Sequence, residues 1–170
     1  MATHRVPVAI LRPDSGVPLD LIANQITEAT SPSVGDLLAY VLADGGTDEG
    51  VWCNFQVPQN YVGSPVLVIR GMLDGAPGAG DDLAFGVRPR AVADNESSDG
   101  TFDAEQTAQV TDISTWANED EYEETITLTG TYAAGDTVHA HVYIDASGTT
   151  YSGNFLLYAE NSIFFQYADA

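Results

Sequence analysis

Lysine is absent from this chain, and its only strongly basic residues are five arginines. They stand against 25 aspartates and glutamates, which gives a formal net charge of −20 at pH 7. A surface this acidic repels phosphate backbones and anionic lipid headgroups, so we expect neither nucleic acid nor a membrane as a partner. It is either an ordinary solvated surface or an adaptation to a halophilic or marine setting, where salt screens like charges.

Several other features are missing. A single cysteine, Cys53, excludes an internal disulfide. The apolar run at 6–11 is short and is interrupted by Pro7, so we expect neither an export signal there nor a membrane span. The chain has no Gly-x-Ser-x-Gly elbow and no glycine-rich phosphate loop before a helix. We therefore expect no enzyme and no cofactor.

The stretch VWCNFQVP at positions 51–58 organises the chain. Because side chains alternate along a strand, Val51, Cys53, Phe55 and Val57 fall on one apolar face. This pattern predicts a core strand with Cys53 as a small buried hydrophobe, not a reactive thiol. After a turn, the apolar run 66–69 predicts a second strand that is covered on both faces.

The rest of the chain repeats short strands and Gly, Asp, Asn or Ser turns, which predicts about eight strands in all. Further strands are predicted at 37–42, 83–92, 107–113, 125–129 and 137–144, and residues 155–158 and 163–167 form a closing strand or pair of strands. The Pro89 position suggests an edge strand or a bulge. We predict an all-β protein, a jelly-roll or Greek-key β-sandwich at 36–170 preceded by an N-terminal arm.

Residues 1–35 differ from the rest, because they hold half of the 8 prolines. We interpret them as an arm or collar that packs on the sandwich or on a neighbouring subunit, although an ordinary first strand and loop is an equal alternative. Residues 19–26 suit either a helical turn or an extended segment. The apolar side chains proposed to bind a partner are Val6, Val8, Ile10, Leu19, Ile22 and Ile26.

Two groups of residues suggest metal binding. His139 and His141 are two apart on a predicted strand and face the same way, but no third ligand is evident. The stretch 94–105 loosely echoes a calcium loop, with its glycine one position late, and the acidic stretches at 81–82 and 119–124 could also hold a hard cation. A solvated surface is the better explanation of both groups, and we assign no metal residue.

The order of motifs resembles small jelly-roll proteins of tailed viruses. In these, a Val-Trp-x-x-Phe-x-Val-Pro strand is followed by a tyrosine and a glycine turn, as at 51–61 here. A Gly-Asp turn at 135–136, a Leu-rich strand at 152–157 and an aromatic end at 163–167 continue the likeness, which covers about residues 50–168. Such proteins are head decoration, or cement, proteins.

The resemblance implies a structural virion protein on the outer surface of the capsid. Its partner would be the major capsid protein, and the oligomer would be a homotrimer. The alternative, from another class, is a carbohydrate-binding β-sandwich module of a viral fibre or extracellular protein. Trp116, Tyr122 and Tyr151 would then form its stacking platform. A glycoside-active enzyme ranks third.

The charge imbalance predicts that stability depends on salt. Self-repulsion at a net charge of −20 should weaken the fold at low ionic strength and fade as the Debye length shrinks. We expect the melting midpoint to rise when sodium chloride is increased from millimolar to molar concentration, as measured by circular dichroism. A midpoint that is flat or falls with salt contradicts this expectation.

Overall fold

A computed structural model describes residues 2–14, 19–21, 38–43, 47–97, 99–117 and 120–169. Within these ranges the protein is an antiparallel β-sandwich with one short 3₁₀ helix, Ile113–Thr115. The strands are β1 Thr3–Pro7, β2 Ala9–Pro13, β3 Leu19–Leu21, β4 Leu38–Ala43, β5 Glu49–Gln56, β6 Tyr61–Leu73, β7 Leu83–Val92, β8 Gln106–Val110, β9 Glu121–Thr127, β10 Thr137–Ile144, β11 Asn154–Tyr158 and β12 Ile163–Asp169.

The strands form two sheets whose neighbours are mostly not consecutive in sequence. One sheet has five strands in the order β2-β5-β10-β7-β8. The other has seven, in the order β1-β12-β6-β11-β4-β3, with β9 also paired to β6. The predicted all-β sandwich is therefore confirmed, although the described residues contain more strands than the eight expected. No helix in the described part of the chain is long and apolar enough to cross a membrane.

The core lies between the sheets and is built largely by strand alternation. Val51, Cys53, Phe55 and Val57 are all buried, as predicted. Phe55 of the five-stranded sheet stacks on Phe165 of the seven-stranded sheet, with ring centroids 4.5 Å apart. This contact joins the two layers at the strand around which the sequence is organised.

The first described residues belong to both sheets. Strand β1 pairs with β12, and β2 pairs with β5, so the chain crosses from one sheet to the other at Val8. Val8 is itself buried in the core. Residues 3–13 are thus edge strands of the sandwich, and Leu19–Leu21 is extended rather than helical. The predicted arm boundary at residue 35 and the segment 22–35 lie outside the described residues.

Pro89 lies in β7, an inner strand, and not at a sheet edge as the proline suggested. Strand β8 pairs only with 83–87 of β7, so it ends before this position. The Pro89 carbonyl instead accepts the amide of Asp103 at 2.9 Å. A residue's amide and carbonyl point to the same side of a strand. At Pro89 this is the side of β8, and β8 has already ended there, so no neighbouring strand needs the N–H group that proline lacks.

The acidic run near residue 120 is partly strand β9 and not loop. Glu123 points out of the seven-stranded sheet and accepts both guanidinium nitrogens of Arg5, at 2.7 and 2.8 Å. Arg70 donates to the same carboxylate at 2.9 Å. The hydrogen bond from Arg5 lowers the pKa of Glu123. Two of the five arginines thus lie beside β9, where they reduce the repulsion between its glutamates.

Cys53 provides a test of the core. Its burial raises the pKa of the thiol to about 12, so almost no reactive thiolate exists at pH 8. We expect no reaction with dithionitrobenzoate in the native protein and full reaction after unfolding in guanidinium chloride. Rapid stoichiometric labelling of the native protein would show that this strand is not in the core.

Candidate functional site

The outer face of the five-stranded sheet carries most of the chemistry that the core does not use. On this face the strand register places residues of neighbouring strands side by side in rows. Successive rows are about 7 Å apart, because each contributes every second residue of a strand. The rows are Arg12–Trp52–His141–Arg88, then Asn54–His139–Arg90, then Gln56–Thr137–Val92.

Aromatic and guanidinium groups stack along the first row and onto Tyr143, which lies one row beyond His141 on β10. The Trp52 and His141 rings stack with centroids 4.6 Å apart, and His141 stacks on Tyr143 at 4.8 Å. Arg12 lies over Trp52 at 5.6 Å from its centroid, and Arg88 lies over Tyr143 at 5.1 Å. We call these five residues the aromatic row. Each ring is held between two planar neighbours, so its orientation is fixed.

Asp14, just after β2, fixes the middle of the aromatic row. One carboxylate oxygen accepts the indole N–H of Trp52 at 2.8 Å. The other lies 2.6 Å from Nε2 of His141 and accepts the amide of Gly50 at 3.0 Å. An edge strand thereby determines where two rings of the inner strands stand.

The Tyr143 end of the row has its own polar support. Tyr143 is fully buried although it lies on an outer face, and its hydroxyl donates to the Glu105 carboxylate. Burial raises the pKa of this phenol. Arg88 lies 3.3 Å from Asp48 and 3.5 Å from Glu105. This end is therefore a closed cluster in which one guanidinium faces two carboxylates.

Part of the loop between β7 and β8 covers the face. Phe102 presents its ring to Trp52 at 5.4 Å and an interplanar angle of 63°. The bond from Asp103 to β7 anchors the loop at this point. Trp52 consequently stacks on His141 and has a T-shaped contact with Phe102.

Beyond the second row the face opens into a cleft of about 580 Å³, which we call the end groove. Three connections surround it: the β5–β6 turn, the start of the β7–β8 loop and the β9–β10 turn. Its walls carry amide, carboxylate, hydroxyl and imidazole groups. The lining residues are Gln56, Gln59, Val92, Ala93, Asp94, Asn95, Ala134, Gly135, Asp136, Thr137 and His139.

Many polar groups of the end groove are not used by the protein. Among the described residues, the side chains of Gln59, Asn95 and His139 make no hydrogen bond. Gln56 donates only to the Gly135 carbonyl, at 3.2 Å. Amides and imidazole each offer both donors and acceptors, so the end groove suits a ligand with many hydroxyl groups.

The two histidines considered as metal ligands lie in different surroundings. His139 and His141 do share one face, as expected, but His141 is 8% exposed and is engaged by Asp14, while His139 borders the end groove. In the described ranges, no group of three or more His, Cys, Asp or Glu side chains is arranged to hold a metal ion.

The stacking platform predicted from Trp116, Tyr122 and Tyr151 is not formed. Tyr151 is 3% exposed and belongs to the core, so its predicted exposure was wrong. Trp116 and Tyr122 do come together, with centroids 4.0 Å apart and planes 9° apart, but they stack on each other. The Tyr122 hydroxyl is taken by the backbone of Ala117.

The residues proposed to bind a partner lie in varied places. Val6 and Ile10 are partly buried against the core, and Val8 is within it. These three side chains are therefore engaged in the sandwich. Leu19 is in β3, where only its backbone is described. Ile22 and Ile26 lie outside the described residues, and a partner contact by this set stays a prediction.

Asp14, Arg12 and Phe102 were not predicted from the sequence as members of one site. They lie on an edge strand and a loop, and only the sheet register brings them to Trp52. One signal was present: the polar faces of 51–57 and 137–144, with Trp52 and two histidines, already indicated an outward surface on each strand.

No protein-family model matches the chain, and no curated protein matches it. Solved structures with a similar fold include an arabinose-bound GH51 α-L-arabinofuranosidase, at 13% identity and TM-score 0.44, with 94% of this chain and 24% of that chain covered. A family 35 carbohydrate-binding module from Clostridium thermocellum matches at 11% identity and TM-score 0.39, covering 97% of this chain and 98% of the module. The C-terminal family 6 module of a Zobellia galactanivorans laminarinase matches at 10% and 0.38, covering 98% and 100%. Sequence identities and TM-scores this low support no conclusion about function.

The Asp14 carboxylate predicts a measurable loss of stability on substitution. Asp14→Ala would leave the Trp52 and His141 donors without their partner, and an unsatisfied buried donor costs about 1–3 kcal/mol. We expect the free energy of unfolding in urea to fall by about 2 kcal/mol.

Asp169→Ala is the matched control. Both carboxylates pair with a histidine and are similarly exposed, at 23% for Asp14 and 21% for Asp169. The histidine side chains differ, because that of His141 is 10% exposed and that of His4 is 45% exposed, so water can replace Asp169. Equal losses in the two variants would show that the Asp14 network is not specially stabilising.

Proposed function

We propose that the protein is a carbohydrate-binding β-sandwich module, whose site is the end groove on the five-stranded sheet. The observation that carries the proposal is the set of polar side chains in that groove with unused donors and acceptors. A sugar presents adjacent hydroxyl groups, each of which can donate and accept. Amide side chains and an imidazole offer the same two functions on a fixed surface.

The position of the groove supports the same conclusion. Binding clefts combine a rigid framework with a few converging polar groups. Here Gln56 and His139 stand on adjacent inner strands, while Asn95 comes from a loop. The strands are held by the core beneath them, so the polar groups converge at little cost in conformational entropy.

The carbohydrate is expected to be neutral. The chain has a net charge of −20, and the groove itself includes Asp94 and Asp136. A uronate or sulfate group would meet repulsion from both. The capsid-decoration role that the motif resemblance implied stays a prediction, since no contact among the described residues tests it.

The binding test uses neutral polysaccharides in affinity electrophoresis: galactan, arabinan, xylan, laminarin and hydroxyethyl cellulose. We expect at least one of them to retard the protein. Gln56→Ala combined with His139→Ala should weaken that binding at least about tenfold, because two hydrogen bonds of about 1 kcal/mol each are lost.

His4→Ala combined with Gln166→Ala is the control. These variants remove the same two residue types from the opposite sheet, where His4 contacts Asp169 and Gln166 accepts from Arg5. The control should bind as the unmodified protein does, with melting curves reported for both double variants. Retardation by none of the polysaccharides, or equal weakening in the control, would overturn the proposal.

A further inference from the structure

The aromatic row is continuous with the end groove. His139 borders the groove and is two residues from His141 on β10, while Asn54 lies between Gln56 and Trp52 on β5. The indole of Trp52 is therefore about two rows, or roughly 14 Å, from Gln56 along the same face. One extended ligand could contact both, and the following inference rests on the proposed function.

The two faces of the Trp52 indole are covered very differently. Strands β2 and β10 flank β5 on opposite sides, so Arg12 and His141 lie on opposite faces of the ring. His141 is almost fully buried and is held by Asp14. Arg12 is exposed, on an edge strand, and its guanidinium carbon lies 5.6 Å from the ring centroid.

Arg12 is also held less firmly than the other stacked arginines. Arg88 stacks on Tyr143 but is bound by Asp48 and Glu105 as well. Among the described residues, no carboxylate lies within ion-pair distance of Arg12. Its cover over Trp52 depends on a single exposed cation–π contact, and exposed contacts of this kind are weak.

The indole beneath this cover is preorganised. Asp14 accepts its N–H, and His141 stacks on its far side, so removing Arg12 would not free the ring to rotate. A fixed apolar ring surface next to polar groups suits a sugar, which presents C–H bonds on one face and hydroxyls at its edge. Binding of the ligand therefore loses little conformational entropy at this ring.

We propose that the Trp52 face now covered by Arg12 is a second saccharide subsite, reached when the arginine side chain moves aside. The ligand is then a neutral oligosaccharide that runs along the strands, with one end hydrogen-bonded in the end groove and a later sugar ring packed on the indole. Arg12 acts as a competitor for that ring.

The experiment titrates oligosaccharides of one to six residues, from cello-, xylo-, laminari- and galacto-series, by isothermal calorimetry. We expect the affinity of the unmodified protein to rise with length in at least one series. Trp52→Ala should remove that rise, about tenfold or more at the longest length, while leaving the affinity for the shortest binding sugar unchanged. Trp52→Phe should recover part of it.

Arg12→Ala gives the opposite and more discriminating result. Removing the competitor should strengthen binding of the long oligosaccharides about two- to fivefold and leave the shortest unaffected. Trp116→Phe, which alters the tryptophan stacked on Tyr122, is the control and should change neither. It also leaves Trp52 as the sole tryptophan, whose fluorescence should respond to long oligosaccharides only.

The outcomes separate the two proposals. Affinity that is the same at every length, or that Trp52→Ala and Trp52→Phe leave unchanged, overturns the second subsite while the end groove stands. Weaker binding of long oligosaccharides by Arg12→Ala overturns the role of competitor. If no oligosaccharide of any length binds the unmodified protein, the proposed function fails together with this inference.

Discussion

Strand β10 pairs along its whole length with β5 on one side and β7 on the other, and its two faces have opposite chemistry. Its inward side chains are fully buried and apolar, whereas its outward side chains are the polar and aromatic groups of the candidate site. A slip of one residue in either pairing would exchange these faces. The apolar core therefore determines the register, and the register in turn determines which groups meet on the outer surface. The inward set is Val138, Ala140, Val142 and Ile144, and the outward set is Thr137, His139, His141 and Tyr143.

The burial of Tyr143 on an outer face depends on two glycines. Its register partners are Gly50 on β5 and Gly86 on β7. A Cβ atom at Gly86 would lie 2.5 Å from the tyrosine ring, and one at Gly50 would lie 2.5 Å from the tyrosine Cβ. Without side chains on either neighbour, the ring can lie close to the sheet, stack on His141 and be covered by Arg88. The two glycines therefore allow the aromatic row to end at Tyr143 in a closed cluster. The opposite end of the row, at Arg12, is exposed.

The sequence predicted well those features that depend on alternation within one strand. The core face of 51–57 and the bounds of 83–92 and 137–144 followed directly from a period of two. The sheet partners could not be predicted in this way, because they depend on contacts between residues far apart in the chain. Asp14 and His141 are 127 positions apart, and no local pattern links them.

The errors have physical causes of the same kind. Tyr151 follows a turn and looked exposed, but its hydroxyl finds the Gly75 carbonyl and Asp74, which allows the ring to be buried. The arm hypothesis for residues 1–35 stays a prediction. Within this segment Pro7 and Pro13 end short edge strands, a position that tolerates a missing donor. The proline content thus marked the N-terminal segment as different from the rest, but it did not show which strands the segment pairs with.

The absence of lysine has a structural counterpart in how the arginines are used. Arg12, Arg70 and Arg88 each lie over an aromatic ring, at 5.6, 5.3 and 5.1 Å. A planar guanidinium can stack on a ring and bind a carboxylate at the same time, which a lysine ammonium does less well. Arg70 and Arg88 do both, since each also pairs with acidic side chains. Arg12 has the ring alone among the described residues. It lies on the same outer face as the end groove, about two rows from Gln56, and the protein itself leaves many polar groups of that groove unused.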